Sequence, residues 1–169
     1  MPYTSLYITP SSFDNLQLVS NGDLLTGLHF IGSQKAGEKM QEGEVADLPI
    51  FQETRRWLDD YFSGHQPDFT PRYKLEKATP FRQEVSEIMC TIPFGETMTY
   101  GEIAMQIAQR HGLEKMSAQA VGGAVGWNPI CLIVPCHRVM GTNGQLTGYG
   151  GGINNKIALL ELEGVRNFF

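Results

Sequence analysis

The chain has little cysteine, little basic charge and no long apolar run. Three cysteines among 169 residues are too few, and odd in number, for a disulfide framework, so we expect a reducing compartment and a free thiol. No apolar run approaches the length of about 18 residues that spans a bilayer. The first residues lack the basic start and apolar block of a signal peptide. These features predict a cytoplasmic protein without a membrane partner.

Acidic groups outnumber basic groups by 18 to 13, which gives a net charge of −5. Nucleic-acid-binding proteins usually carry an electropositive face, so this total argues against such a partner. The excess is uneven, however: residues 1–78 hold 11 acidic and 7 basic groups, and residues 79–169 hold 7 and 6. DNA binding by the second half therefore stays open. Within 97–160 the balance is +2, from Arg110, Lys115, Arg138 and Lys156 against Glu102 and Glu114.

The first half is predicted to form a small antiparallel sheet and one helix. Alternating and apolar segments indicate strands at 3–9, 16–20 and 24–31, and Asn21-Gly22 predicts a tight two-residue hairpin turn between the last two. Apolar residues at three- and four-residue intervals then predict a helix at about 48–62. These elements indicate an α/β scaffold domain.

The second half is predicted to be mostly helical, after a linker that ends at residue 78 and divides the chain into domains 1–78 and 79–169. Thr79-Pro80 marks one helix start, and the capping box Thr99–Glu102 marks another. A further helix at about 117–125 is N-capped by Ser117. The last two form a candidate helix-turn-helix, although ordinary helix pairs in a core give the same pattern.

The chemistry-bearing segment is Pro135-Cys136-His137-Arg138, which follows an apolar run at 130–134 predicted to be a buried strand or extended segment. An adjacent imidazole and guanidinium lower a cysteine pKa and favour a nucleophilic thiolate. Neighbouring side chains of a strand point to opposite faces, so Cys136 and His137 need a turn or a bridging water to interact. An inert buried thiol is the alternative. A metal site is disfavoured because no fourth ligand is evident.

Two further features stand out. Glu163 ends a helix predicted at about 154–163, where it is either solvated or turned inward to orient His137. Gly122-Gly123 lies inside a predicted helix, where each glycine costs about 1 kcal/mol relative to alanine. Such a pair indicates close approach of another helix or of a partner's backbone.

Several motifs in the second half occur in the order found in one family. The stretch from Thr79 to Gly164 closely resembles the O6-alkylguanine-DNA alkyltransferases. The first half has a compatible size and pattern but no diagnostic motif. The motifs that carry the resemblance are Ile92-Pro93-Phe94-Gly95, Tyr100-Gly101, Ala120-Val121-Gly122-Gly123-Ala124, Asn128-Pro129, Pro135-Cys136-His137-Arg138-Val139 and Leu159-Leu160-Glu161-Leu162-Glu163-Gly164.

The resemblance implies an α/β N-terminal domain followed by a mostly helical C-terminal domain with a helix-turn-helix. It implies direct reversal of DNA damage, in which the protein flips out an O6-alkylguanine and moves the alkyl group irreversibly to Cys136. No cofactor or metal takes part, and each molecule acts once. The implied partner is double-stranded DNA containing alkylated guanine, with alkylated thymine as a second candidate substrate. The protein is expected to be a monomer that associates with the nucleoid when bound to DNA.

The same resemblance assigns roles to individual residues. Cys136 is the nucleophile, connected through a water to His137 and then Glu163. Tyr100 rotates the flanking phosphate and donates a proton toward the departing purine, and Asn128 braces the turn before the active-site segment. The implied DNA-binding residues are Ser117, Gln119, Ala120, Gly122, Gly123 and Arg138, and the implied pocket residues are Val139, Tyr149 and Gly150.

This chain departs from the family pattern at Gln119, where an arginine usually enters the base stack. Glutamine fills the gap without charge, so we expect weaker DNA affinity or a changed flipping rate. Three alternative functions fit parts of the sequence. A Cys-His-Glu thiol hydrolase would turn over and would need an oxyanion site, and nothing besides the three residues supports it. A non-transferring alkyltransferase-like protein that binds damaged DNA would lack the acceptor thiol, which is present here. A helix-turn-helix regulator would need a basic base-reading surface, yet residues 117–125 contain no cation.

Overall fold

A computed structural model describes residues 1–32, 40–166 and 168. The first half contains a four-stranded sheet of order β3-β2-β1-β4. Strand β1 (Tyr3–Tyr7) is antiparallel to β2 (Leu16–Ser20) and parallel to the short β4 (Glu44–Val45), and β2 is antiparallel to β3 (Leu25–Phe30). Every residue of the inner strand β2 is buried.

The β2–β3 hairpin differs from the predicted two-residue turn. Its loop has four residues, 21–24, because the Asn21 side chain accepts hydrogen bonds from the backbone N–H groups of Asp23 and Leu24 at 3.0 and 2.9 Å. Ser20 adds a hydrogen bond from its hydroxyl to the Leu24 carbonyl, at 2.7 Å. The local side-chain bonds thus open the turn, and Gly22 supplies the positive φ of 110° that it needs.

Helix α1 (Pro49–Phe62) follows the sheet at almost the predicted boundaries. Proline at its first position fits a helix start, since its missing N–H has no partner there in any helix. Its inward face packs on the sheet and consists of Ile50, Phe51, Thr54, Trp57, Leu58 and Tyr61.

The described residues of the second half contain four α-helices, and the first three of them have the predicted caps. Helix α2 (Pro80–Met89) is capped by the Thr79 hydroxyl. After strand β5 (Met98–Thr99), helix α3 (Tyr100–Arg110) is capped by Thr99. Helix α4 (Ala118–Trp127) is capped by Ser117 and packs against α2 and α3. Strand β6 (Val139–Met140) pairs in parallel with β5, and helix α5 (Ile153–Leu162) ends at Glu163. The observed architecture confirms the predicted small sheet and helix in the first half and the mostly helical second half.

The two halves share one hydrophobic core. The sheet, α1, α2, α3 and α4 all contribute buried side chains to it. The edge strand β3 also bonds directly to the segment that precedes Cys136: the Leu28 N–H donates to the Pro129 carbonyl, and the Cys131 N–H donates to the Leu28 carbonyl, both at 2.9 Å. The first half therefore fixes the backbone that leads into the reactive segment.

Among the described residues, no helix is both long enough and apolar enough to cross a membrane.

Candidate active site

The segment before Cys136 is a series of tight turns, and the prediction of a buried strand or extended segment at 130–134 is wrong. Only Ile130 makes a bridge to the sheet. After it the chain folds on itself: the Val134 N–H donates to the Ile130 carbonyl at 3.0 Å, and the Ile133 N–H donates to the Cys131 carbonyl at 2.8 Å. Leu132 has a φ of +73°, which a branched, buried side chain adopts only under strain. The apolar run is buried as expected, but its hydrogen bonds are local.

Cys136 begins a short 3-10 helix, Cys136–Arg138, so the alternation of strand side chains does not apply. The side chain of Asn128 holds both ends of the turn: its Oδ1 accepts from the Ile130 N–H at 3.0 Å, and its Nδ2 donates to the Val134 carbonyl at 2.8 Å. The same Nδ2 lies 3.1 Å from the Cys136 sulfur. Asn128 thus positions the thiol and supports it with a donor.

The pKa of the buried Cys136 thiol is lowered. The main cause is a hydrogen bond from the Cys131 thiol, which outweighs the opposing effect of burial. The donor at Asn128 and the positive charge of Lys156 add to it. Each of these groups stabilises the thiolate relative to the thiol. The site therefore favours the nucleophilic form of cysteine.

His137 is fully buried and its Nε2 lies 2.6 Å from Glu163 Oε2. Burial alone would raise the pKa of Glu163, but hydrogen bonds and charge from His137 and Arg138 hold it far below its ordinary value. The carboxylate is thus ionised and can only accept, so Nε2 carries the proton and Nδ1 keeps its lone pair. Nδ1 is buried and makes no hydrogen bond with any described residue. It is the nitrogen available to take a proton.

The Glu163 carboxylate accepts hydrogen bonds from four residues. Besides His137, its oxygens accept from Arg138 Nε at 2.8 Å and Arg138 Nη2 at 3.1 Å, and from the Gly95 N–H at 3.0 Å. A fifth donor, the Tyr61 hydroxyl, comes from α1 at 2.6 Å. The position of Glu163 just after α5 does not expose it: the residue is only 6% accessible. Of the two alternatives left open by the sequence, the inward one holds.

The prediction that Arg138 contacts DNA is wrong. The residue is only 5% exposed. Its guanidinium bonds twice to Glu163 and once to the Ile92 carbonyl, at 2.7 Å. These partners neutralise the charge inside the protein and leave Arg138 a structural role beside the imidazole.

Lys156 was missed as a site residue. It is 1% exposed, and its Nζ donates to the Val139 carbonyl at 2.8 Å and to Thr147 Oγ1 at 3.4 Å. The Thr147 hydroxyl in turn lies 3.0 Å from the Tyr100 hydroxyl. The signal was in the sequence, because Lys156 lies three and four residues before Leu159 and Leu160 and so shares their buried helix face. The positive charge of Lys156 therefore acts on Cys136 and does not add to the charge of the protein surface.

The surface around α4 is accordingly less basic than the count for 97–160 indicates. Arg138 and Lys156 lie inside, and Arg110 bonds to Glu84 at 3.5 Å. Gln119 is exposed at the start of α4. The +2 balance therefore does not describe an accessible patch.

Packing among the described residues does not require Gly122 or Gly123 in α4. A Cβ at Gly123 would meet no described atom within 4 Å, and one at Gly122 would make only ordinary contacts of 3.9 Å with the Tyr100 ring. Gly123 is also exposed. Of the two explanations open from the sequence, approach by another helix is therefore excluded for Gly123, and approach by an external partner is favoured.

A cavity of about 130 Å³ opens beside the Cys136 sulfur. Of the residues assigned to the substrate pocket, Tyr149 and Gly150 line this cavity, whereas Val139 is fully buried in β6 and does not. His29, from β3, lines the cavity and was missed, since nothing in the sequence of a strand shows which cavity its side chain reaches. The other lining residues are Tyr100, Gly122, Val125, Gly126, Asn128, Cys131, Gly148 and Gly151.

Within the described part of the chain, no group of three or more His, Cys, Asp or Glu side chains is arranged to hold a metal ion.

Two family profiles match the chain. One, described as 6-O-methylguanine DNA methyltransferase, DNA binding domain, matches residues 80–165. The other, described as 6-O-methylguanine DNA methyltransferase, ribonuclease-like domain, matches residues 3–75.

Named relatives and solved structures agree with these profiles. The chain is 45% identical over 148 residues to the methylated-DNA–protein-cysteine methyltransferase of Mycobacterium tuberculosis, covering 88% of this chain and 85% of that protein. The same name belongs to a Haemophilus influenzae protein with 38% identity over 162 residues, covering 95% and 87%. The structure of Mycobacterium tuberculosis OGT in complex with DNA has a TM-score of 0.75 at 41% identity and covers 95% of this chain and 92% of that one.

Proposed function

The chain belongs to the 6-O-methylguanine-DNA methyltransferase family, and we propose that it repairs DNA by direct reversal, with Cys136 as the acceptor. It is a methylated-DNA–protein-cysteine methyltransferase that acts once. The observation that carries this assignment is a buried thiol of lowered pKa, held by Asn128 beside a cavity and next to an imidazole oriented by Glu163. A non-transferring damage-binding protein has no use for such a thiol.

The reaction is an in-line displacement at the alkyl carbon. The thiol proton passes through a water to His137 Nδ1, and the Cys136 thiolate attacks the carbon bound to guanine O6. A sulfur–carbon bond forms, the carbon–oxygen bond breaks, and its electron pair stays on the guanine. The Tyr100 hydroxyl supplies a proton to the departing base. The thioether product is not hydrolysed, so the protein is consumed.

The charges around Cys136 suit this step. Asn128, Cys131 and Lys156 stabilise the thiolate before attack. Tyr100 connects to Lys156 through Thr147, so the hydroxyl of the proposed proton donor is held in place by a buried hydrogen-bonded chain. The Gly150 N–H is our candidate donor to guanine O6 as charge develops on it.

The damaged base must leave the duplex to reach Cys136, at a cost of a few kcal/mol of unstacking. We propose that α3 and α4 act as a helix-turn-helix, with α4 in the groove. Exposed Gly123 permits close approach of the sugar–phosphate chain. Ser117 caps the start of α4, Ala120 is exposed three residues before Gly123, and Gly122 borders the cavity. Gln119 takes the place of the flipped nucleotide.

The wider assignment follows from the same proposal. The partner is double-stranded DNA with alkylated guanine, and alkylated thymine is a second candidate. The protein is a cytoplasmic monomer that joins the nucleoid through DNA. The division into a scaffold domain at 1–78 and a DNA-binding and transfer domain at 79–169 remains our prediction.

A stoichiometry measurement tests the function. Duplex DNA carrying O6-methylguanine, in excess over the protein, should add one methyl group to each molecule, read as intact mass and mapped to Cys136. The mass should then stay constant. Continued turnover would indicate a thiol hydrolase, and binding to the lesion without any mass gain would indicate a non-transferring protein. Either result contradicts the proposal.

Gln119→Arg should bind undamaged duplex DNA several-fold more tightly. One additional phosphate contact should steepen the slope of log affinity against log salt by about 0.9. The matched control is Gln52→Arg, which adds the same charge at an exposed position of α1. An unchanged salt slope for Gln119→Arg, or an equal change in the control, would argue against placing Gln119 at the DNA.

A further inference from the structure

Tyr61 connects the first half of the chain to the proton-transfer residues. Its hydroxyl donates to Glu163 Oε2 at 2.6 Å, across a sequence separation of 102 residues. The same oxygen accepts from His137 Nε2, also at 2.6 Å, and the Tyr61 hydroxyl lies 3.4 Å from that nitrogen. Tyr61 is fully buried. Glu163 Oε2 thus accepts a hydrogen bond from each half of the chain.

The Tyr61 ring is held on several sides. It stacks on Trp57 with ring centroids 5.3 Å apart, and it meets Phe94 edge-on at 5.9 Å and His137 at 6.4 Å. Burial, together with the charge of Glu163 and the hydrogen bond to it, raises the pKa of Tyr61 well above its ordinary value. The hydroxyl therefore stays protonated, and its only role toward an ionised carboxylate is to donate.

We infer that Tyr61 is a positioning residue for alkyl transfer, contributed by α1, which acts by fixing Glu163 and through it the tautomer and orientation of His137. This inference rests on the proposed function. It gives the first half of the chain a direct part in the reaction, because the residue that orients the imidazole is itself oriented from α1. Tyr61 does not touch Cys136 or the cavity in any described contact.

Removing the hydroxyl should change the imidazole in a defined direction. Without the Tyr61 donor, the Glu163 carboxylate becomes more basic and attracts the His137 proton more strongly, so the pKa of His137 should rise. The other groups that act on this cluster are Arg138, beside the carboxylate, Lys156, which acts on His137, and Tyr149, which faces Tyr61. All three remain in place when Tyr61 is replaced by phenylalanine.

Tyr61→Phe should slow methyl transfer about tenfold at neutral pH, the size expected for losing a hydrogen bond to a charged group. The acid limb of the rate–pH profile should move to higher pH, because the base must be neutral. Binding to damaged DNA should not change. In a Glu163→Gln background, Tyr61→Phe should have no further effect on the rate.

The matched control is Tyr7→Phe. Tyr7 is also buried and donates to a carboxylate, Asp59 Oδ1, at the same 2.6 Å. Its loss should lower stability in a similar way but leave the rate and its pH profile as in the wild type. Equal effects of the two substitutions on the rate would overturn the inference, because Tyr61 would then act only through stability.

Ring nitrogen chemical shifts of His137, read by NMR without DNA, give a result that does not depend on transfer. The wild type should show a single Nε2–H tautomer, and Tyr61→Phe should show a higher imidazole pKa, whereas Tyr7→Phe should not. An unchanged His137 in Tyr61→Phe overturns the inference. A wild type that shows the expected tautomer but never gains mass on alkylated DNA overturns the proposed function instead.

Discussion

Cys136→Ser should abolish alkyl transfer. A serine hydroxyl stays protonated at neutral pH and is a poor nucleophile, and nothing at this site lowers its pKa far enough to change that. The rate should fall by about 10³-fold or more. Because the substitution is nearly isosteric and the Asn128 donor remains, the protein should fold and bind damaged DNA as the wild type does.

The other two cysteines provide controls for Cys136→Ser. Cys90 lies at the end of α2, away from the cavity, and Cys90→Ser should transfer at the wild-type rate. Cys131 donates to the Cys136 sulfur, so Cys131→Ser should retain transfer, with the rate altered by about tenfold or less as the thiolate gains or loses support. Transfer that persists in Cys136→Ser, or a methyl group mapped to Cys131 or Cys90, would contradict the assignment.

The helices and their boundaries could be predicted because they depend on nearby residues. Thr79, Thr99 and Ser117 cap the helices that they precede, each by a bond spanning three residues. The apolar spacing of α1 likewise predicts its buried face without reference to the rest of the fold. Such signals lie within one or two turns of chain, so sequence inspection can find them.

The turn at 130–134 could not be predicted from its composition. A short apolar run fits a buried strand and a buried turn equally well. Two contacts select the turn. The Asn128 side chain replaces the hydrogen bonds that a neighbouring strand would make, and Leu28 at the edge of β3 forms a bridge only with Ile130 among the described residues of this run. Asn128 lies just before the run, and Leu28 lies about a hundred residues away.

The site could be predicted only in part, because some of its contacts join residues that are distant in sequence. The Cys136, His137 and Glu163 residues came from a recognisable motif, but the groups that tune them are distant in sequence. Tyr61 reaches Glu163 across 102 residues, and Lys156 reaches the Val139 carbonyl across 17. The resemblance assigns Arg138 to DNA, and a guanidinium fits a phosphate, yet a buried carboxylate fits it as well. Residue type alone does not select between the two.

Glu163→Gln should destabilise the protein by about 3–5 kcal/mol at neutral pH, because it leaves the buried charge of Arg138 without its partner. The carboxylate accepts five hydrogen bonds, and a glutamine amide would turn a donor toward some of those donors. Transfer should also fall sharply, since His137 loses the acceptor that fixes its tautomer.

The matched control is Glu84→Gln. Glu84 also bonds to one histidine and one arginine, His111 at 2.8 Å and Arg110 at 3.5 Å, but at the surface. Water and salt weaken such a pair, so its loss should change the free energy of unfolding by less than about 1 kcal/mol. The two substitutions therefore separate the effect of burial from that of the pairing itself.

The pH dependence of the stability lost in Glu163→Gln shows whether the charge of the carboxylate is its cause. The pKa of Glu163 is far below its ordinary value of 4.5 in the folded protein, so its stabilising contribution is complete above that value and disappears as acid protonates the folded carboxylate. The gap in unfolding free energy between wild type and Glu163→Gln, measured with denaturant, should be largest at about pH 7 and should shrink by about pH 3. A gap that stays constant with pH, or one no larger than that of Glu84→Gln, would show that the buried carboxylate charge does not hold this site together.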